Sequence, residues 1–436
     1  MSRSRLAVLA ASSALAAVAV AGCSTSTDQA GSSSSASVPP TSSADGCARV
    51  AASEAWYGDN VNRLNQMLTD YGTCGQDQHK AGDAPLALFD WDNTVVRNDI
   101  GDATFHWMVA HDKIHQPRRG DWATTSPFLT PDAATALSQA CDSTGATPGD
   151  PVKSSENAKC ADELLAVYSD GKTTGDKDAF DGFDHRTMEP QYAWLAQLFS
   201  GSTPAEVTDF ATQARDYALS QPVGATEKIG TTEVDSWVRY YDQIGDLIGA
   251  LKGNGFDVRI ISASPEPLVK VWAKDLGLGD DRLMGIKNEI ADGMYTTDVV
   301  GCGGRGDNTV ITYMDGKRCR INEQVLGISG AAAFDVAPAD RRQVFAAGDS
   351  DTDVSFLQDA TGLRLAINRN KTGLMCRAYA DTDGKWIVNP MFIEPKEEQT
   401  DPYACSTEGD VDAAGKDIPL TVDGTAVQDQ KDSVHS

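Results

Sequence analysis

Phe89-Asp90-Trp91-Asp92-Asn93-Thr94 is the stretch that decides the fold of this chain. Ahead of it runs Pro85-Leu86-Ala87-Leu88, an apolar run of the length of a buried strand. After it, Val95-Val96 gives way to polar residues. Open α/β sheets bind ligands in the crevice beyond the carboxyl ends of their strands, and two carboxylates one residue apart at such an end face that crevice. In Asp-x-Asp-x-Thr the first aspartate can attack phosphorus and bind a cation, and the second can protonate a leaving oxygen.

Downstream of Thr94, about 160 residues pass before the next apolar strand, Val258-Arg259-Ile260-Ile261. Helical stretches recur within that interval near 100–111, 134–140, 161–168, 188–199 and 204–219, separated by turns rich in Gly, Pro and Asp. So long a structureless loop is not expected inside a domain, so residues 97–235 read as an inserted, mostly helical cap. Trp237, Tyr240, Tyr241, Ile244, Leu247, Ile248 and Leu251 line one side of a helix predicted over 237–251, which Gly253 and Gly255 end. A hairpin is expected from 283–290 and 294–299 around Asp292-Gly293. Val344-Phe345-Ala346-Ala347 reads as a third core strand and 363–367 as a fourth. Strands alternating with helices predict a parallel sheet, an α/β fold, with residues 236–400 completing the core. Residues 47–96 supply N-terminal helices, on the spacing of Val61, Leu64, Met67 and Leu68, and the first strand. Residues 401–436 form an acidic tail expected to fray beyond Asp410.

The 436 residues are 23% charged and 41% hydrophobic, a globular composition with a formal net charge of -26. That acidity argues against nucleic acid as a partner, because phosphate backbones need Lys and Arg. Arg3 and Arg5 followed by an apolar run over 6–20 mark residues 1–22 as an export signal, with a run too short and too rich in small residues for a stable membrane span. Val20-Ala21-Gly22-Cys23 resembles the bacterial lipoprotein signal, in which Cys23 becomes the lipidated first residue; an ordinary cleaved signal is the alternative. Residues 23–46 are rich in Ser and Thr and are expected to form a disordered tether to a membrane facing the extracellular side. The remaining eight cysteines, Cys47, Cys74, Cys141, Cys160, Cys302, Cys319, Cys376 and Cys405, read as disulfides in an exported chain, and neighbour pairing gives the shortest loops. No Cys-x-x-Cys occurs.

Three further features fall at or near strand ends. Ser262 closes Ile260-Ile261 and is followed by Ala263-Ser264; Gly348-Asp349-Ser350-Asp351-Thr352-Asp353 closes the third strand; Lys317 sits in Asp315-Gly316-Lys317-Arg318, ahead of the helical pattern Ile321, Val325, Leu326. Together with Asp90 and Asp92, these resemble, in order, the four motifs of the haloacid dehalogenase superfamily of phosphohydrolases, over Leu86 to about Ile367. Trp56, Asp90-x-Asp-Asn-Thr, Arg97-x-Asp99 and Ser262-Ala-Ser264 look most like its exported phosphorylcholine phosphatase and phosphoserine phosphatase branch. The resemblance implies a doubly wound, Rossmann-like sheet with a movable cap inserted after the first motif, which the long insert fits.

The chemistry follows from the residues. A phosphate monoester dianion repels a carboxylate nucleophile, so a cation must neutralise both. Asp90 and Asp349 offer hard oxygens suited to Mg²⁺, and the resemblance adds the backbone carbonyl of Asp92. Asp90 attacks, Asp92 protonates the leaving alkoxide and then activates water, Ser262 donates to a phosphoryl oxygen, and Lys317 supplies positive charge. Asp353 orients Lys317 or a metal-bound water. Lys287 competes with Lys317 for its role, although it falls inside the expected hairpin. Asp99 is either a contact for a substrate ammonium group, as its spacing from the nucleophile in that branch implies, or a helix N-cap; Thr94 and Ala263 are further candidate substrate contacts. Trp107, Trp194, Trp237, Tyr240 and Tyr241 either build a cage for a quaternary ammonium or fill the core. His106 and His111 are spaced too far apart on a helix to share a metal. A disulfide between Cys302 and Cys319 would restrict or position the Lys317 loop. The expected activity is that of an exported phosphomonoesterase acting on a small phosphorylated metabolite as a monomer or small homo-oligomer. The alternatives are a non-catalytic binding lipoprotein on the same scaffold and a phosphotransferase.

Overall fold

Six short apolar runs lay down one parallel sheet. The computed structural model describes residues 41–42, 47–73, 84–117, 120–142 and 147–435; the signal segment, Cys23, all of the tether but Thr41 and Ser42, and Cys74 lie outside them. The strands are β1 (Leu86–Phe89), β2 (Asp257–Pro265), β3 (Leu283–Ile286), β4 (Phe345–Gly348), β5 (Leu363–Asn368) and β6 (Trp386–Pro390). Their order is β6-β5-β4-β1-β2-β3, with every neighbour paired in parallel. Ala87 and Phe89 of β1 turn into one hydrophobic core, Leu86 and Leu88 into a second on the opposite face. A strand buried on both faces reads as a continuous apolar run, which is why β1 was visible in the sequence. From β1 the chain moves outward to β2 and β3, then returns to β4 on the other side of β1. The ends of β1 and β4 therefore frame the crevice where the strand order reverses.

Residues 283–286 join the edge of this sheet, while the expected hairpin is formed by Asn288–Ala291 with Met294–Val299. The helix expected over 237–251 starts only at Asp242 and runs to Gly253. Arg239–Tyr240 instead pairs antiparallel with Val96–Arg97, so a long-range ladder overrides the helical spacing, and Trp237 and Tyr241 are buried from positions ahead of the helix. Between the first two core strands lie helices Ile100–Ala110, Pro131–Cys141, Ala158–Leu165, Pro190–Gln197 and Pro204–Ser220, together with an unforeseen hairpin, Thr226–Ile229 with Thr232–Asp235. The last of these helices opens on a capping box between Thr203 and Glu206, with Pro204 in its first turn.

The C-terminal segment does not fray. Val427 and Val434 are buried in the same core as Leu86 and Leu88, and the Asp432 carboxylate accepts from Asn368 Nδ2 at 3.1 Å. The disulfide Cys376–Cys405 ties it to the helix Thr372–Ala380. Cys141–Cys160 and Cys302–Cys319 also pair as neighbours; Cys47 is disulfide-bonded as well. Among the described residues no helix is long and apolar enough to cross a membrane.

Candidate active site

Asp90 follows β1 directly, and its N–H donates to Ala347 O of β4 at 3.0 Å, which fixes the carboxylate at the switch point. The Thr94 hydroxyl lies 3.1 Å from both Asp90 Oδ2 and Asp349 Oδ1, bridging the two strand ends. Asn93 makes the turn between them at φ 60°, a left-handed conformation that Asn tolerates better than most side chains. Its Oδ1 accepts from Asn98 N at 3.1 Å, closing the loop.

The Asp92 carboxylate is turned to β2 and to the first cap helix. Oδ2 accepts from Ser264 Oγ at 2.7 Å and Ser262 Oγ at 3.2 Å, and Oδ1 accepts from Ile100 N at 2.8 Å. Asp99 Oδ1 takes the next two helical N–H groups, those of Gly101 and Asp102. Two carboxylates thus satisfy donors that a helix start leaves unpaired. Burial, and then Asp99, raise the Asp92 carboxyl well above the usual carboxylate range against these hydrogen bonds, so it holds a proton readily. Burial and Asp102 push Asp99 up to about 7.

Asp349 and Asp353 leave β4 together. Asp353 Oδ2 accepts from the N–H groups of Asp349 and Ser350 at 3.0 and 3.1 Å. Gly348 is required here: a Cβ would stand 2.7 Å from the Asp353 side chain. Lys317 lies in the first turn of the helix Asp315–Gln324, entered through Met314 at φ 43°. It is fully buried, with Nζ 2.6 Å from both Asp90 Oδ1 and Asp353 Oδ1. Burial works against its charge, but Asp353 and Asp90 outweigh burial and hold the ammonium well above its ordinary range. Asp90 itself is raised, by burial and by Asp353. Lys287 is exposed, one residue past the edge strand β3.

Ser262 sits beneath Asp92, where its Oγ also accepts from Ser264 N at 2.9 Å. Of these two serines it is Ser264 that lines the cavity, alongside Ala263. Asp99 is both the helix cap and part of the cavity wall. The five aromatic residues do not assemble into a cage: Trp194 donates to Thr125, Trp107 stacks on His111, and Tyr240 donates to Trp272 O. Tyr168 and Tyr192 line the cavity instead. Sequence reasoning also missed Arg369, one residue past β5, which donates to Asp349 Oδ2. Its place just beyond a strand end was the available signal. The cavity, of about 50 Å³, adjoins a groove of about 1000 Å³ with which it shares Asp99, Tyr192 and Arg369.

The donor set fits a hard cation. Asp90, Asp349 and Asp353 each bring one oxygen within 4.8 Å of the others, and these three buried carboxyl groups, with half-buried Asp92 beside them, meet the charges of Lys317 and Arg369. An all-oxygen, carboxylate-rich set suits Mg²⁺. Both Asp353 oxygens are engaged, by Lys317 and by backbone N–H groups, and the Asp92 side chain points to β2. Asp90 and Asp349 stand at the ends of β1 and β4 with Thr94 bridging them, on either side of the crevice.

A family model for haloacid dehalogenase-like hydrolases matches residues 182–358, which include Ser262, Lys317, Asp349 and Asp353. Over those residues the chain is similar to the haloacid dehalogenase-like hydrolases. It is also 31% identical over 109 residues to the phosphorylcholine phosphatase of Pseudomonas aeruginosa. That match covers 23% of this chain and spans only 30% of the relative's length. A solved structure from Anaerococcus prevotii, described as a conserved protein of unknown function, matches 76% of this chain and 92% of its own, with 19% identity and a TM-score of 0.56. This second likeness is one of fold.

Proposed function

We propose that this protein is a phosphomonoesterase acting through an aspartyl-phosphate intermediate. The meeting of Asp90 with Asp349 and Lys317 at the β1/β4 switch point carries this reading. An Asp90 oxygen attacks phosphorus and the ester P–O bond breaks; the departing alkoxide takes the proton held on Asp92. Asp92, now a carboxylate, takes a proton from water as that water attacks the same phosphorus, releasing phosphate and restoring Asp90. Lys317 keeps the Asp90 oxygen oriented and offsets its charge. Mg²⁺ bound by Asp90 and Asp349 would supply the positive charge that lets a carboxylate approach a phosphate dianion.

The cavity suits a phosphoryl group and the adjoining groove its alcohol. A small, amine-bearing alcohol is supported by the acidic Asp99 and Asp102 near Tyr168 and Tyr192, and by the likeness to a phosphorylcholine phosphatase. Export and a lipid anchor at Cys23 belong to the same proposal; residues 1–23 and the disulfides support them. The test is phosphate release from a panel of phosphorylated metabolites, with phosphocholine and phosphoserine included and Mg²⁺ present. No release from any member would refute the proposal.

A further inference from the structure

We propose that Arg369 is a phosphoryl-binding residue, a guanidinium clamp on the wall of the cavity that Asp90 also lines. The inference rests on the phosphatase reading and adds a residue to it. The cavity wall carries Asp90, Asp92, Asp99 and Asp349 but a single cationic side chain, Arg369. Lys317 is not on that wall: it is fully buried, and it is held by Asp90 and Asp353. A phosphate dianion entering here meets four carboxyl groups, and among the described residues that line the cavity Arg369 is the one that meets it with positive charge.

Arg369 is also presented rigidly. Asn368 donates to Asp432 Oδ1 at 3.1 Å and to Val434 O at 2.7 Å, and accepts from Asn370 N at 2.9 Å. Asn370 in turn accepts from Tyr403 Oη at 3.1 Å. The residues on both sides of the arginine are thus tied down. Of the five guanidinium N–H donors, the one placed in a hydrogen bond goes from Nη1 to Asp349 Oδ2, leaving the others to the cavity and the groove, both of which Arg369 lines. A planar fork of this kind pairs two-to-two with phosphate oxygens. Because the same side chain holds Asp349, its two roles must be separated by experiment.

Wild type, Arg369→Met and Arg369→Lys are compared for kcat and KM on p-nitrophenyl phosphate and for binding of inorganic phosphate by calorimetry with Mg²⁺ present. Mg²⁺ binding without phosphate is titrated alongside, and melting curves establish that each variant is folded. Arg369→Met is expected to raise KM and weaken phosphate binding by about tenfold or more, the worth of a charged hydrogen bond, with Mg²⁺ binding undiminished. Arg369→Lys recovers part of the loss, keeping the charge without the fork. Unshifted phosphate binding in Arg369→Met overturns the inference. So does parallel loss of phosphate and Mg²⁺ binding, which would make Arg369 a support for Asp349 alone. If Arg369→Met does not fold, the same split read on Arg369→Lys decides. Wild type without turnover would sink the phosphatase reading itself, whereas turnover with an unshifted Arg369→Met sinks only this inference.

Discussion

Lys317 reaches Asp90 from 227 residues further along the chain, with 2.6 Å between Nζ and Oδ1. The same ammonium holds Asp353. Removing it leaves two carboxylates buried side by side without a counter-charge. Lys317→Met is therefore expected to abolish turnover and to cost about 3–5 kcal/mol of stability, read from urea unfolding. A variant as stable as wild type would contradict the buried-pair picture.

Asp90→Asn separates chemistry from stability. The amide can still accept from Lys317, and it removes one carboxylate from a crowded cluster. Phosphate release should fall by at least roughly 10³-fold, while the melting temperature stays level or rises. Equal rates for the two proteins would exclude Asp90 as nucleophile.

Metal dependence follows from the carboxylate excess. Chelation with EDTA should stop turnover, and Mg²⁺ should restore it. Because a ligand that binds only the folded state stabilises it, Mg²⁺ should raise the melting temperature of wild type. Asp349→Asn should lose most of that rise. A metal-independent rate after exhaustive chelation would count against a cation at Asp90 and Asp349.

Glu189 gives a pH signature of the cap. It precedes the helix Pro190–Gln197, and burial pushes its carboxyl up to about 7 from its ordinary 4.5. Between those values the folded protein keeps a proton that the unfolded chain has lost, so stability falls as pH rises. The contribution is complete below pH 4.5 and lost through about 7. Glu189→Gln should flatten this part of the profile in denaturant titrations at successive pH values and gain most at the alkaline end. An unchanged slope would show that another group governs it.

The core was legible because β1, β2, β4 and β5 each carry a short apolar run followed by a polar residue that chemistry could use, although β2 continues past Ser262 to Pro265. Asp90, Asp92, Ser262 and Asp349 were found by that rule. Arg369 stands at an equivalent place, one residue past β5, but a lone arginine in Asn-Arg-Asn spells no reaction. The division of labour between Ser262 and Ser264 was hidden because adjacent hydroxyls differ only in where β2 points them. At Trp237 to Tyr241 the helical spacing misled, since pairing with Val96 lies 144 residues away at Tyr240. The tail misled through its charge: Val427 and Val434 are few among acids, yet both are buried in the core.

Cys319 lies two residues beyond Lys317 in the same helix, and its bond to Cys302 fastens that helix to the loop before it. The choice of expression host therefore enters the biochemistry. Material made in a reducing cytosol lacks the strap beside Lys317, and a dead preparation from that source would report on thiols, not on Asp90. Periplasmic secretion, or refolding with a glutathione pair, gives the sample on which negative results carry meaning.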